Sequence, residues 1–106
     1  LELILKRIEC AGMADMDTCL YNPKSKKRKT YVAQAADILL RYRNSQTPVG
    51  VVRHAGRPEE SSYLTTLGEL KDMPLDMFCV VIIGNSSTYI LDGKMITPRG
   101  YEKKYE

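Results

Sequence analysis

The stretch CLYNPKSKKRKTYVAQAADILLRYR, residues 19–43, joins an apolar run to a helical pattern through a cluster of cations. Asn22 precedes Pro23, and a residue before proline is pushed towards extended backbone, so the run of residues 16–21 is predicted to be a short strand that ends there. Residues 30–43 place their apolar side chains on one stripe, which predicts a helix. A strand followed by a helix is the repeating unit of α/β layers.

Two further segments are predicted to be helices. In residues 1–13 the apolar side chains recur at spacings of three and four, as they do on one face of a helix. Residues 67–73 are predicted to form a short helix, with Thr66 as its N-cap and Glu69 completing a capping box. The chain therefore offers three helices to cover a sheet.

Two more apolar runs, residues 49–52 and 78–83, are short and bounded by turn residues, so each predicts a buried strand. Residues 59–62 are polar and are predicted to be a loop. Residues 89–96 predict a hairpin, because Asp92-Gly93 is typical of a type I′ turn. Strands alternating with helices, followed by a hairpin, predict an α/β fold in which a mixed β-sheet is flanked by helices.

The composition is that of one globular domain. The 106 residues are 43% hydrophobic and 27% charged, which is ordinary for such a domain, and we predict one domain over residues 1–106. No apolar run approaches the roughly 20 residues of a membrane-spanning helix, and no signal-peptide layout is visible. Because the sequence opens inside a helical pattern, without Met, we expect it to be a piece cut from a longer chain.

Cysteine usage argues against a metal site or a disulfide framework. Cys10, Cys19 and Cys79 form no CxxC pair, and His54 is the single histidine. A structural zinc site has too few ligands, so we predict no metal. An odd number of cysteines without framework spacing favours a reducing compartment, and we expect the protein in the cytoplasm.

Five cations stand within six residues at the start of the predicted helix of residues 30–43. A helix N-terminus is already partly positive, so each exposed cation there costs roughly 0.3–1 kcal/mol. Two interpretations stay open at this point, a solvated face or a surface for an anionic partner. Nucleic acid is disfavoured as that partner, because the net charge is only +3 and the run offers no stacking platform. The cations are Lys24, Lys26, Lys27, Arg28 and Lys29.

The ends of the predicted strands are natural places for a ligand, since α/β sheets bind ligands beyond the carboxyl ends of their strands. Polar or small residues follow all three buried strands, at 21–23, 54–57 and 84–86. The alternative is that these are ordinary polar loops. His54 titrates in the range of a general base, but no carboxylate is obviously paired with it. No phosphate-binding glycine loop and no nucleophile elbow is present. The residues alone therefore indicate binding and no particular reaction.

Four blocks of sequence together resemble one family, the precorrin-3B C17-methyltransferases, also called cobalt-factor III methyltransferases, of cobalamin biosynthesis. The blocks are LYNPKSKKR (20–28), TPVGVVRHAGRPEE (47–60), TTLGEL (65–70) and VVIIGNSSTYILDGKMITPRGY (80–101). Each is weak by itself, but they follow the family's order and spacing over nearly the whole chain. The resemblance implies the C-terminal lobe of the two-lobed tetrapyrrole methylase fold, because the family's N-terminal glycine-rich loop is not in this sequence.

The resemblance also implies S-adenosylmethionine as cofactor, with S-adenosylhomocysteine as product, bound in a cleft between the two lobes. The implied transfer of a methyl group to C17, coupled to ring contraction, depends on alignment of donor and acceptor, so no catalytic residue is assigned. The implied cofactor-binding positions form three groups, which are Leu20, Tyr21 and Asn22; Arg53, His54 and Ala55; and Phe78, Cys79 and Val80.

The implied substrate is a corrinoid precursor that carries many carboxylates. Cations form strong charge-assisted hydrogen bonds with carboxylates, which would offset the helix-dipole cost. A surface that faced a second lobe would be apolar, so we also expect a homodimer. The alternatives are a non-catalytic binding or dimerisation module and, less favoured, a small nucleic-acid-binding domain. The cations assigned to the substrate are Lys26, Lys27, Arg28, Arg57 and Arg99.

Overall fold

Two helices pack on one face of a four-stranded sheet in a computed structural model that describes residues 2–21, 31–73, 75 and 78–98. The elements in chain order are α1 (Glu2–Met13), β1 (Thr18–Tyr21), α2 (Tyr31–Leu39), β2 (Pro48–Arg53), β3 (Ser61–Thr66), a 3-10 turn (Leu70–Asp72), β4 (Cys79–Ile83), β5 (Tyr89–Leu91) and β6 (Lys94–Ile96).

The sheet has the strand order β1-β4-β2-β3. Each pairing in this part of the chain is antiparallel, β1 with β4, β2 with β4 and β2 with β3. The α/β class and the helix-covered sheet are confirmed, but the parallel pairing expected of a mixed sheet is not found among the described strands. The reason is that β1 and β2, which α2 connects, run in the same direction but are separated by β4.

β3 is the strand that the sequence pattern did not predict. It pairs residue for residue with β2, from Arg53 opposite Ser61 to Pro48 opposite Thr66, and the predicted loop at 59–62 overlaps its start. An edge strand with one solvated face needs few apolar residues. Because β3 begins with exposed serines, the pattern of apolar runs does not predict it as a strand.

The segment after β3 forms less helix than predicted. Of residues 67–73, Leu70–Asp72 form a 3-10 turn. Thr66, the predicted N-cap, ends β3 instead, and Glu69 stands at the N-cap position without a side-chain cap hydrogen bond. Pairing of Thr66 with Pro48 in the sheet has outweighed the local capping-box pattern.

α1 occupies nearly its predicted range, and a Schellman-type turn closes its C-terminus. Asp15 adopts a left-handed conformation, with φ of 56°. Its N–H donates to Gly12 O at 3.1 Å, and the N–H of Met16 donates to Ala11 O at 2.9 Å. These bonds satisfy carbonyls left over at the helix end, so that β1 can follow after a short turn.

α2 ends at Leu39 rather than at the predicted Arg43. The N–H of Tyr42 donates to Leu39 O at 3.0 Å, a three-residue spacing that belongs to a tighter turn than the α-helix. The last residues of the predicted helix therefore form turns that lead towards β2.

The core lies between the helices and one face of the sheet. Side chains that alternate along β2 and β4 point into it, so Val49, Val51, Val81 and Ile83 are fully buried. The helices, β1, the start of β4 and the segment around the 3-10 turn supply the rest, which are Ile8, Leu20, Tyr31, Val32, Ala35, Ala36, Leu39, Leu67, Leu70 and Cys79.

The predicted hairpin is confirmed as β5–β6. Asp92 and Gly93 have φ values of 52° and 73°, as a type I′ turn requires. The hairpin lies against the outer face of the sheet, the face away from the helices, where a Cβ atom placed on Gly50 would lie 3.6 Å from Met95 Sδ. A groove of about 550 Å³ is lined by this face and β6.

Candidate functional site

Three separated segments meet at one end of the sheet, named here the His54 end. β1 and β2 finish there and β4 begins there, because β4 is antiparallel to both. The register places Tyr21 opposite Val80 and Arg53 opposite Cys79. The described members of the three groups that the resemblance implies therefore lie side by side, although the groups are far apart in the sequence.

His54 turns the chain away from the end of β2. Its φ is 52°, a left-handed conformation that is uncommon for a residue with a side chain. Its N–H donates to Phe78 O at 3.1 Å, and its C=O accepts from the N–H of Arg57 at 3.0 Å. Gly56, with φ of 80°, donates its N–H to Glu60 Oε1 at 2.9 Å. The loop after β2 is thus held by its own hydrogen bonds beside the start of β4.

The imidazole of His54 stacks on the ring of Phe78. The ring centroids are 4.9 Å apart, and the two planes make an angle of 27°. Nδ1 of His54 lies 4.0 Å from Glu59 Oε1, so the sequence does contain a carboxylate neighbour for this histidine. That distance is too long for a hydrogen bond. The arrangement orients the imidazole but does not form a base-and-carboxylate pair.

The predicted cofactor positions differ in what they can present to a ligand. Leu20 and Cys79 are only 2% and 1% exposed, so their side chains belong to the core and are not available to a ligand. The cofactor role of the whole set stays a prediction. The other members whose side chains are described are half-buried or exposed, and they are Arg53, His54, Ala55, Phe78 and Val80.

Of the cations assigned to the substrate, the structure describes Arg57. Its side chain is exposed in the loop after β2, at the His54 end. The chain leaves the described part after Tyr21, at this same end of the sheet. The remaining predicted site residues lie outside the described residues, and they are Asn22, Lys26, Lys27, Arg28 and Arg99.

The loop at 84–86, which the strand-end reasoning also singled out, lies at the opposite end of the sheet, named here the Gly84 end. It is there because β4 runs antiparallel to β1 and β2. Ser86 donates its hydroxyl to Asp15 Oδ2 and its N–H to Asp15 Oδ1, the latter at 2.9 Å. The hydroxyl bond first, and then the backbone bond, lower the pKa of Asp15. These contacts join this loop to the turn after α1.

The buried side chain of Arg43 connects three backbone segments at the Gly84 end. Its side chain is buried, with Nη1 donating to Gly84 O at 2.8 Å and Nη2 donating to Ala11 O at 3.1 Å and to Met16 O. Burial lowers the pKa of this guanidinium, while the negative charge of Asp15 opposes the shift. A cation engaged with three backbone carbonyls is not available to a ligand, so Arg43 has a structural role at the Gly84 end.

Comparison with known proteins finds similar methyltransferases, although no protein-family model matches the chain. It is 52% identical over 99 residues to the probable cobalt-factor III C(17)-methyltransferase of Salmonella typhimurium, which covers 93% of this chain and 41% of that protein. It is 47% identical over 104 residues to the cobalt-factor III methyltransferase of Priestia megaterium, which covers 98% of this chain and 19% of that protein. The crystal structure of the methyltransferase CobJ superposes with a TM-score of 0.78 and 27% identity, over 92% of this chain and 41% of that one.

Over nearly its whole length, the chain is similar to part of these C(17)-methyltransferases. The family resemblance predicted from four sequence blocks is therefore confirmed. The chain spans less than half the length of the family members that it matches, so the activity of the whole protein is a separate question from the family of this part.

The His54 end fits an S-adenosyl ligand of the kind that methyltransferases use. Ala55 and Gly56 stand exposed in the loop after β2, so a ligand can approach the backbone closely there. Phe78 exposes aromatic surface, which contacts purine bases well. These features match a flat base.

Two features of this part of the structure escaped sequence reasoning. The ring pair of His54 and Phe78 joins residues whose proximity depends on the register of β2 and β4, which the sequence does not show. The groove on the outer face is lined by Gly50, Leu64 and Ile82 among others, and its β3 wall was not predicted. The apolar residues of the predicted hairpin, among them Met95, were the one available signal for the groove.

Within the described residues, no group of three or more His, Cys, Asp or Glu side chains is placed to hold a metal ion. In residues 2–21, 31–73, 75 and 78–98, no helix combines the length and the apolar character needed to cross a membrane. Cys10, Cys19 and Cys79 are free thiols.

Proposed function

We propose that the full-length protein is an S-adenosylmethionine-dependent methyltransferase that methylates C17 of a corrinoid precursor, with ring contraction. The observation that carries the proposal is the meeting of segments 20–21, 53–55 and 78–80 at one end of the sheet, in a chain that is similar to part of the C(17)-methyltransferases. Both relatives described above are named for cobalt-factor III. We therefore propose the cobalt-containing precursor as substrate, with cobalt-free precorrin-3B as the alternative.

The cofactor, when bound, supplies a methyl group activated by its sulfonium. In this part of the protein it would be held by Tyr21 at the end of β1 and the following Asn22, by Arg53–Ala55 and by Phe78–Val80. Leu20 and Cys79 would support these contacts from the core, since their side chains are buried. Holding donor and acceptor in line supplies much of the barrier reduction, so the proposal needs no protein nucleophile.

Residues 1–106 would form one C-terminal lobe of this enzyme. A single core supports that proposal, because the buried side chains of both helices and of the sheet form one cluster. We place the enzyme in the cytoplasm, which suits the three free thiols at Cys10, Cys19 and Cys79.

The direct test is methyl transfer by the full-length protein from S-adenosylmethionine, with cobalt-factor III and precorrin-3B supplied separately. We expect mass spectrometry to show one added methyl group on the cobalt-containing precursor, and S-adenosylhomocysteine in equal amount. Isothermal titration with S-adenosylhomocysteine tests cofactor binding independently. Absence of both binding and transfer would contradict the proposal and favour a non-catalytic binding or dimerisation module.

The substrate role of the basic run has its own test. Exchanging Lys26, Lys27 and Arg28 together for Gln in the full-length protein should weaken corrinoid binding about tenfold or more, because charge-assisted contacts to carboxylates are lost. The salt dependence of binding should become shallower. Lys71→Gln is the matched control, since Lys71 lies 3.7 Å from Asp37 on an exposed surface of α2 and the 3-10 turn. If the triple variant kept wild-type affinity and salt dependence, the basic run would have no part in substrate binding.

We also propose a homodimer, and the exposed apolar side chains support it. Leu64 and Ile82 on the outer face of the sheet, and Leu91 on the hairpin, are each exposed. Such groups favour association when they cluster. Sedimentation velocity of the full-length protein should show a dimer, and Ile82→Glu should shift it towards monomer. A wild-type protein that stays monomeric at high concentration contradicts this part of the proposal.

A further inference from the structure

The outer face of the sheet is apolar, although α1 and α2 pack on the other face. Side chains alternate along a strand, so the residues between the buried valines of β2 and β4 point outward. The register places Gly50 between Ile82 and Leu64 in one row, and these two are 39% and 42% exposed. No outer-face position of the four described strands carries a charged residue. A sheet face that meets water usually carries polar residues, so this face has the composition of a covered surface.

The groove on this face has one charge at each end of β6. Of the described residues that line its volume of about 550 Å³, two are charged, Asp17 and Lys94. Lys94 begins β6, and Asp17 lies at the other end, where Thr97 Oγ1 donates to Asp17 Oδ1 at 3.4 Å. Lys94 and Thr97 are three residues apart, which is about 10 Å along an extended chain. The groove is therefore an apolar surface with a cation at one end and an anion at the other.

This distribution of charge is self-complementary. Lys94 and Asp17 are both exposed, and Lys94 has no ion-pair partner among the described residues. In a two-fold contact, residue i of one copy meets residue j of the other, and j meets i. A two-fold axis that lies between two outer faces and crosses β6 between the charges brings each lysine to the other copy's aspartate. A partner of different sequence would have to supply a matching pair of charges, which a second copy already has.

We propose that the outer face is a two-fold interface between two copies of the chain, in which Lys94 of each copy pairs with Asp17 of the other. This inference rests on the homodimer of the proposed function and deepens it by naming the surface and the pairing. Leu91 lies beside Lys94 in the hairpin register and is 53% exposed, so it enters the interface together with the lysine. Burial of the apolar residues supplies the affinity, and the two ion pairs fix the relative position of the copies.

Charge reversal tests the pairing, with sedimentation velocity of the full-length protein as the measurement. Lys94→Glu and Asp17→Lys each set two like charges against each other, so each variant should dimerise about tenfold or more weakly than wild type. An equimolar mixture of the two variants should form dimers again, because both contacts of the mixed dimer join opposite charges. Lys71→Glu is the matched control and should leave dimerisation unchanged, since Lys71 lies 3.7 Å from Asp37 of α2, away from the outer face.

Cross-linking of the wild-type protein tests the same contact without a substitution. A carbodiimide joins a lysine amine to a carboxylate that touches it. Full-length protein mixed from unlabelled and isotopically labelled preparations should give linked Lys94 and Asp17 peptides, one light and one heavy, which form only between copies. Thermal unfolding shows whether each variant folds. If Asp17→Lys does not fold, the cross-link and Lys94→Glu decide the matter.

Four outcomes would overturn the inference. If wild type forms dimers that neither reversal weakens, another surface joins the copies, and the homodimer stands without this interface. If both variants are weakened but their mixture is not restored, the pairing of Lys94 with Asp17 is wrong. Wild-type dimers that give no mixed cross-link between these residues have the same meaning. A wild-type protein that stays monomeric at high concentration rules out the homodimer as well.

The methyltransferase proposal is judged separately on the same preparations. Binding of S-adenosylhomocysteine and methyl transfer by wild type decide that proposal, whatever the dimer measurements show. A wild-type protein that dimerises as expected but neither binds the product nor transfers a methyl group would keep the interface and lose the enzyme. The reverse result, an active enzyme that stays monomeric, would lose the interface alone.

Discussion

Arg43 places a guanidinium among three backbone carbonyls, those of Gly84, Ala11 and Met16. Removing a buried donor leaves its acceptors without partners, which costs more than the donor contributed. The sequence pattern puts Arg43 at the end of a helix and says nothing more about it. The sequence could not predict these contacts, because every residue type has a backbone carbonyl and the three partners come from separate elements.

We expect Arg43→Met to lower the free energy of unfolding by about 2–4 kcal/mol, because it keeps the apolar stem and removes every donor. Thermal and urea unfolding of the full-length protein measures the change. Arg41→Met is the matched control, since Nη1 of Arg41 lies 3.9 Å from Glu9 Oε1 in an exposed pair that is worth at most about 1 kcal/mol. Equal losses in the two variants would show that the buried network contributes nothing special.

Asp15, at the Gly84 end of the sheet, makes the stability of the fold depend on pH. Hydrogen bonds from Ser86 lower its pKa in the folded state. A carboxylate of this kind stabilises the fold above its unfolded pKa of about 3.9, and the contribution is lost as pH falls through the folded value. Asp15→Asn keeps a side chain that suits the left-handed backbone, so it isolates the charge.

We expect Asp15→Asn to melt at a lower temperature than wild type at neutral pH, through a loss of about 1 kcal/mol. The gap between the two melting temperatures should narrow below about pH 4. Asp37→Asn removes an exposed carboxylate 3.7 Å from Lys71 and should change little at either pH. If the melting temperatures of Asp15→Asn and wild type differed equally at neutral and acidic pH, the charge of Asp15 would not be the cause of the difference.

At the scale of elements, sequence reasoning succeeded where one segment decides its own structure. α1, the cores of β1, β2 and β4, and the hairpin with its Asp92-Gly93 turn were all predicted from local pattern and are confirmed. Sequence reasoning failed where the structure of a segment depends on the strand with which it pairs. β3 becomes a strand by pairing with β2, and the same pairing takes Thr66 away from the helix that it was expected to cap.

The turn after β4 offers a test of an element boundary. A Cβ atom on Gly84 would lie 2.6 Å from Thr88 Cβ. Hydrogen bonds fix the Thr88 side chain, because its Oγ1 accepts from Asn85 N–H at 2.9 Å and shares a hydrogen bond with Thr97 Oγ1. We expect Gly84→Ala to lower the free energy of unfolding by about 1–3 kcal/mol, because neither the new methyl group nor the hydrogen-bonded Thr88 side chain can move away easily.

Gly50→Ala is the matched control for Gly84→Ala. Its new Cβ would meet Met95 Sδ at 3.6 Å, an ordinary contact with a flexible side chain. Replacing glycine within a strand also reduces the conformational entropy of the unfolded chain. Gly50→Ala should therefore be neutral or slightly stabilising in the same unfolding measurement. If both alanine variants were neutral, the packing at the turn after β4 would be looser than the contacts indicate.

At the scale of the whole molecule, the candidate site depends on strand direction. Strand-end reasoning treated residues 84–86 as equivalent to 21–23 and 54–57, but the antiparallel β4 sends its own end to the other side of the sheet. The family resemblance instead named the start of β4, and the register explains how that start joins the ends of β1 and β2. Neither argument could place the His54 ring against Phe78, since that contact needs the register and the left-handed turn together.

The proposed cofactor site at the His54 end is open to solvent, so we expect residues 1–106 to bind the cofactor weakly by themselves. Ligand pockets bury about 70–90% of a small molecule, whereas the loop after β2 and half of Phe78 lie open to solvent. If the remainder of the enzyme covers this end, most of the cofactor surface is buried only in the full-length protein. Residues 1–106 should then bind S-adenosylhomocysteine at least about 100-fold more weakly than the full-length protein, a difference of about 2.7 kcal/mol. Calorimetry on both proteins measures this, with circular dichroism to show that residues 1–106 are folded. Equal affinity would mean that the strand ends and the loop after β2 hold the cofactor without help, and that the rest of the enzyme serves the corrinoid alone.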